Sequence, residues 1–259
     1  MENMGGKLII MSRAKDVAKS LLSTGAVKLN VKEPFTFVSG IKSPIYCDNR
    51  KMIGYPVERQ VVVDEFIKKL SEKDFDVVAG TATAGIPWAA FIAQLMNKPM
   101  SYIRGEKKAH GAGRQIEGAD FEGKKVIVIE DLISTGGSSI KAVEAARNEG
   151  AKEVEVLAIF SYEFDKAYKN FGEKNIKWET LSNFTALLEL AKEEKYLTEE
   201  EAEIHPNKNI ITRSLGQSAE VQADLQAVDV QPGDYLLMNS DGLTNMISAE
   251  EILEVVYSE

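Results

Sequence analysis

Two carboxylates and five small or hydroxylated residues lie close together in residues 126–139, VIVIEDLISTGGSS. Glu130 and Asp131 follow four β-branched apolar residues. Leu132 and Ile133 make a short apolar step, and Ser134, Thr135, Gly136, Gly137 and Ser138 come next, ahead of an amphipathic run, IKAVEAARNEG. This order predicts a buried strand that ends in the acidic pair, then a turn, then a helix start. A helix start presents unpaired N–H donors and about half a positive charge, which suits a phosphate. Glycines at 136 and 137 let the main chain approach such a group, and the three hydroxyls add donors. Carboxylates repel phosphate, so Glu130 and Asp131 need another partner on the same ligand. Vicinal hydroxyls fit, and a phosphate beside vicinal hydroxyls describes a ribose 5-phosphate. No Lys follows the glycines, which excludes a Walker-type loop.

The chain has 259 residues, a net charge of −9 and 27% charged residues, with a pI near 5.0. That balance excludes broad nucleic-acid binding. An acidic protein that takes a polyanionic ligand must concentrate positive charge locally. Residues 104–118, RGEKKAHGAGRQIEG, do so: Arg104, Lys107, Lys108, His110 and Arg114 stand among three glycines. A second turn of small residues, GTATAG at 80–85, reads equally well on its own as tight packing or as a loop that offers main-chain amides. A single cysteine, Cys47, rules out an internal disulfide and fits a reducing cytoplasm; two histidines cannot build a zinc cluster. No apolar run approaches the roughly 20 residues of a membrane span. Residues 1–10 are too poorly shaped for a signal peptide. Met11 reads as a more natural start, which makes 1–10 an extension.

Several elements must position these groups. Helical periodicity marks 12–24, 56–71, 86–96 and 183–197. Short apolar runs mark strands at 77–79, 100–103, from 126, and 153–162; aromatics around a Ser-Gly suggest a hairpin or irregular strand pair at 34–50. Four strands alternating with helices predict an α/β fold, a parallel sheet with right-handed crossovers. Ligands bind such sheets at the carboxyl ends of the strands, where all three loops fall.

The 126–139 string resembles the phosphoribosyl pyrophosphate (PRPP) signature of type I phosphoribosyltransferases. Residues 34–50 resemble the active-site hood of orotate phosphoribosyltransferases, F-x-x-x-SG-x-x-SP-x-Y-x-D-x-R, through Phe35, Ser39, Gly40, Ser43, Pro44, Tyr46, Asp48 and Arg50. The basic loop is similar to that family's mobile catalytic loop. Over about residues 11–204 the resemblance implies Mg²⁺-dependent transfer of ribose 5-phosphate from PRPP to orotate, giving orotidine 5′-monophosphate and pyrophosphate in pyrimidine biosynthesis. It implies that Glu130, Asp131, Leu132, Ile133, Ser134, Thr135, Gly136, Gly137 and Ser138 bind PRPP and that Ser134 also meets orotate. It places pyrophosphate on the loop Thr81, Ala82 and Thr83, and catalysis on Lys108, His110 and Arg104. It further implies Mg²⁺ held by PRPP and water rather than by direct protein ligands, and a homodimer with shared active sites.

Three positions depart from the pattern. Val38 stands where many members carry a Lys, with Lys42 in the turn; Gly105 replaces a second Lys; and Tyr162, Glu163 and Phe164 stand where some members place an orotate-contacting Arg. The alternatives are transfer to another base, or a PRPP-sensing regulator without catalysis. The intact basic loop and the hood motif favour the transferase for orotate.

From His205 the character changes. HP-x-x-N-x-ITR-x-LG (205–216), PGDYLL (232–237) and SDGLT (240–244) resemble part of a PP2C-type metal-dependent phosphatase, in which Asp241 would match a metal-binding Asp. That family's early and late acidic segments are missing, and about 55 residues cannot close its two-sheet sandwich. The expectation is a non-catalytic remnant over 205–259, an incomplete and partly ordered α+β appendage joined near LTEEEAE, 197–203.

Overall fold

The computed structural model describes residues 4–30, 35–36, 42–43, 45–106, 115–194 and 255; at 4–12, 36 and 42–43 it describes the main chain alone. In chain order the elements are α1 (Met4–Ser23), β1 (Val27–Leu29), β2 (Phe35–Thr36), β3 (Lys42–Ser43), β4 (Ile45–Cys47), a 3₁₀ turn (Asn49–Gly54), α2 (Pro56–Ser71), β5 (Val77–Thr81), α3 (Gly85–Met96), β6 (Met100–Ile103), β7 (Ile116–Gly118), β8 (Lys125–Ile133), α4 (Gly137–Asn148), β9 (Glu153–Ser161), α5 (Asp165–Glu173), β10 (Lys177–Asn183) and α6 (Phe184–Glu193).

The main sheet runs β10-β9-β8-β5-β6-β7. All neighbours are parallel except β7, which pairs antiparallel with β6. Alternation along β8 explains the layers. Ile127 and Ile129 join a core with Val17 and Leu21 of α1, Phe66 and Leu70 of α2, Trp88 and Ile92 of α3, and Leu187 of α6. Val126 and Val128 point the other way, to Ala142, Val143 and Ala146 of α4 and Phe171 of α5. A strand covered on both faces reads as a continuous apolar run, as VIVI does.

The expected parallel α/β sheet is present, with differences of detail. β8 does not stop at the acidic pair: Leu132 and Ile133 continue it by pairing with Phe160 and Ser161. Two strands and a helix, β7, β10 and α5, join the four strands expected. α1 extends eight residues N-terminal to its periodic stretch, and α6 ends at Glu193. Within 34–50, β2 pairs with β3 as a hairpin, whereas β4 pairs with β1.

The chain divides into two compact units, Met1–Lys208 and Asn209–Glu259. The second unit lies outside the described residues except Val255, which is helical and exposed. The phosphatase-like motifs and Asp241 therefore lie outside them too. Among the described residues no helix is long and apolar enough to cross a membrane.

Candidate active site

β5 lies between β6 and β8, with Thr81 paired to Ile103 and Gly80 to Ile129. The loops that leave these three strands therefore emerge side by side at one end of the sheet. Small residues make this possible. A Cβ at Gly85 would run into the Ile129 carbonyl of β8 and lie 2.6 Å from Thr81 Oγ1, so α3 can start this close to the sheet only with glycine there. Ala82 and Thr83 are exposed on the turn, joined by a cis peptide, and the Ala82 amide donates to the Ile103 carbonyl at 2.8 Å.

Glu130 is buried at the junction of two loops. Its Oε1 accepts from Thr81 Oγ1 at 2.7 Å and from the Asp131 amide at 3.2 Å. Its Oε2 accepts from Ser138 Oγ at 3.1 Å and Ser139 Oγ at 3.3 Å. One carboxylate thus ties the turn after β5 to the start of α4. Asp131 is half-buried beside it. Burial first, then repulsion from Glu130, pushes its carboxyl up to about 7; nearby Arg50 opposes that rise. Arg50 reaches Asp48 through two bonds, Nε to Oδ1 at 2.6 Å and NH2 to Oδ2 at 3.1 Å, and holds the Asp48 carboxyl below its ordinary value.

The turn into α4 is braced from below by α5. Gly136 adopts φ +78° as the residue before α4, and a Cβ there would meet the Phe171 ring at 2.6 Å. Asn170 Nδ2 donates to the Thr135 carbonyl at 2.8 Å. Gly137 and Ser138 are exposed and open the first turn of α4, whose amides have no partner within the helix. No acidic side chain lies in that turn. An exposed helix start beside hydroxyls can take a phosphate, and Asp131 can accept hydroxyls next to it.

Residues 58–188 match the model of the phosphoribosyl transferase domain. An orotate phosphoribosyltransferase of Streptococcus pneumoniae serotype 19F is 53% identical over 192 residues, 73% of this chain and 91% of that protein. The chain belongs to the orotate phosphoribosyltransferases. Among solved structures, the Aeropyrum pernix orotate phosphoribosyltransferase is similar at TM-score 0.59 and 28% identity, over 70% of this chain and 99% of that one. Leishmania donovani UMP synthase is similar at TM-score 0.62 and 29% identity, over 73% of this chain and 40% of that one.

In this orotate phosphoribosyltransferase the structure gathers Thr81, Ala82, Thr83, Glu130, Asp131, Ser134, Thr135, Gly136, Gly137 and Ser138 at one end of the sheet. Leu132 and Ile133 are strand residues; the Ile133 side chain is buried, and its carbonyl accepts from the Tyr162 amide at 3.2 Å. Arg104 closes the stem of the basic loop: its amide donates to the Gln115 carbonyl at 2.9 Å, and its carbonyl accepts from Gln115 Nε2 at 2.8 Å. Lys107, Lys108, His110 and Arg114 lie outside the described residues, as do Val38, Ser39, Gly40 and Pro44.

The position that carries Arg in some family members has a structural use here. Glu163, at φ +57°, turns inward and accepts from the Thr185 amide at 2.9 Å and Thr185 Oγ1 at 2.6 Å, which caps α6. Three residues at the site were not singled out by sequence: Ser139, Asn170 and Asn49. Ser139 closes the 126–139 string without having been assigned a role there, whereas the two asparagines carry no local signal.

Proposed function

We propose that this pentosyltransferase moves ribose 5-phosphate from PRPP to orotate. The bond from the anomeric carbon to pyrophosphate breaks, pyrophosphate leaves with the electron pair, and a C–N bond to orotate forms with inversion. The observation that carries this reading is that an exposed helix start, an acidic pair and the 82–83 turn share one end of the sheet. Amides and hydroxyls of 134–138 hold the 5-phosphate, and the 81–83 turn holds pyrophosphate.

Asp131 is the carboxylate open to the ribose hydroxyls, and its charge favours an oxocarbenium-like transition state. Glu130 joins it in two steps. The Ser138 hydroxyl has one proton to donate, so a phosphate that captures it vacates an acceptor site on Glu130 Oε2 for the ribose. Arg104, Lys108 and His110 stabilise the departing pyrophosphate, and His110 can return a proton to it.

Mg²⁺ enters as part of the substrate, since the donor set fits that arrangement. The Glu130 carboxylate is already occupied by hydroxyls. Bound together with PRPP, Mg²⁺ would neutralise charge on the leaving pyrophosphate, as suits a hard ion that keeps its water.

The working unit is a homodimer in the cytoplasm. Tyr55, Val57 and Leu95, exposed at α2 and α3, support the dimer, and a single cysteine in the sequence supports the reducing compartment. Residues 11–204 are the catalytic domain. The segment 205–259 is a non-catalytic remnant of a PP2C-type phosphatase.

Loss of orotate absorbance with PRPP and Mg²⁺ tests this, with Lys108→Ala as control. The expected result is Mg²⁺-dependent loss that disappears in the control. No loss from the folded full chain, and none from a protein ending at Ile204, would rule out the reading. Loss only in the shortened protein would show that the tail inhibits.

A further inference from the structure

We infer that Asn49 is a positioning residue for the ribose site, holding the main chain of Asp131 in the place that the sheet leaves open. β5 pairs with β8 only as far as Gly80 and Ile129, two residues before Asp131. Along a strand, carbonyls two residues apart point the same way. The Ile129 carbonyl faces β5 and accepts from Thr81 Oγ1 at 3.2 Å. The Asp131 carbonyl therefore points to the same side, where β5 has already turned away into its loop.

Asn49 takes the missing position. Its side chain is fully buried, and Nδ2 donates to the Asp131 carbonyl at 2.6 Å, across 82 residues of sequence. The amide is itself held from the other end, because Oδ1 accepts from the Cys47 thiol at 3.1 Å. Burial pushes that thiol far above its ordinary value, so it keeps its proton and remains a donor.

Behind Asn49 lies a fixed ribbon. Cys47 pairs with Val27 in the β1–β4 ladder, and the Asp48 amide donates to the Ala26 carbonyl at 2.7 Å. One amide side chain thus links the segment that leads out of the hood to the carboxylate that faces the ribose. Asp48 and Arg50, on either side of Asn49, bind each other and do not make this link.

The inference rests on Asp131 being a ribose-binding carboxylate, so Asp131→Asn is measured in parallel. The experiment is steady-state kinetics and PRPP binding by calorimetry on full-length Asn49→Leu, which keeps bulk and loses the donor, with the melting temperature recorded. The expected result is a KM and Kd for PRPP raised about tenfold, the size of one lost buried hydrogen bond, with KM for orotate within about threefold. Cys47→Ala, which leaves the Asn49–Asp131 bond in place, should stay within about threefold for both.

An unchanged PRPP KM in folded Asn49→Leu, whatever its melting temperature, overturns the inference while leaving the ribose reading intact if Asp131→Asn is impaired. Wild-type PRPP kinetics in Asp131→Asn overturns both. Asn49→Ser gives the same readout should the Leu protein not fold. If neither folds, Asn49 serves the fold alone and the inference fails.

Discussion

Asp131 is a carboxyl held against its ordinary tendency, and that has a sign in the pH dependence of stability. Its native value of about 7 stands against an ordinary 3.8, chiefly through burial and then through Glu130. Between those values the native protein keeps a proton that the unfolded chain has released. Stability is therefore greatest below about pH 4 as far as this group is concerned, and it falls as pH rises towards about 7. Asparagine at 131 cannot ionise, so Asp131→Asn should be about 1–3 kcal/mol more stable than the parent near pH 8. The difference should vanish near pH 4. Urea unfolding at both values checks this, and a variant equally stable or less stable near pH 8 would contradict it. Gly136 carries the opposite kind of constraint. At φ +78° with Phe171 under it, Gly136→Ala meets both backbone strain and a ring that the stacked Trp178 holds in place. A loss of about 1–2 kcal/mol together with a higher PRPP KM is expected, from melting and kinetics on the same protein.

At the scale of elements, β8, its turn and α4 were legible because their information is local. A run of β-branched residues, two carboxylates, two glycines and a helical period lie consecutively, and the fold keeps them in that order. α5 was not legible, and the reason is physical. DKAYKNFGE is only nine residues long and buries Ala167 and Phe171, so its apolar face spans little more than two turns. β10, KWETLSN, has only Trp178 and Leu181 as apolar residues, three positions apart, so it lacks the period of two that marks a strand. β7 is three residues long and pairs antiparallel, so it carries no signal of its own. The contribution of α5 to the site was hidden for the same reason, since Asn170 reaches Thr135 only after the crossover from β9 brings α5 beneath the turn. Asn49 is the extreme case, with its partner 82 residues away. The α5 brace has a measurable consequence. Asn170→Ala should leave the Thr135 carbonyl short of a donor, at a cost of about 1 kcal/mol, and raise the PRPP KM a few-fold while sparing that for orotate. Equal rises in both would mean that the helix supports the fold generally and not the phosphate turn.

At the scale of the whole molecule, large apolar groups stay exposed on both faces of the sheet, Tyr168 at α5 and three more at α2 and α3. Tyr55, Val57 and Leu95 are exposed, and Arg59 lies over the Phe91 ring at 4.9 Å, which links α2 to α3. Leu95 is one helical turn beyond Phe91, on the same face of α3. Such a surface suits a second copy of the chain, and a two-fold pair would present the same face from each side. The functional side of that reading is the basic loop. If Lys108 of one subunit serves the acidic pair of its neighbour, Lys108→Ala and Asp131→Asn are defects of different halves of a shared site. Each protein alone should be nearly inactive. Mixed under conditions that allow exchange, random pairing makes about half of the dimers mixed, and each mixed dimer contains one site with both groups intact. Recovery should therefore approach about one quarter of wild-type activity per subunit, scaling with the measured fraction of mixed dimers. Two differently tagged chains, co-purified and then assayed, give that fraction directly. Mixed dimers without recovered activity would place Lys108 and Asp131 in the same subunit's site and leave the apolar face with a purely structural use.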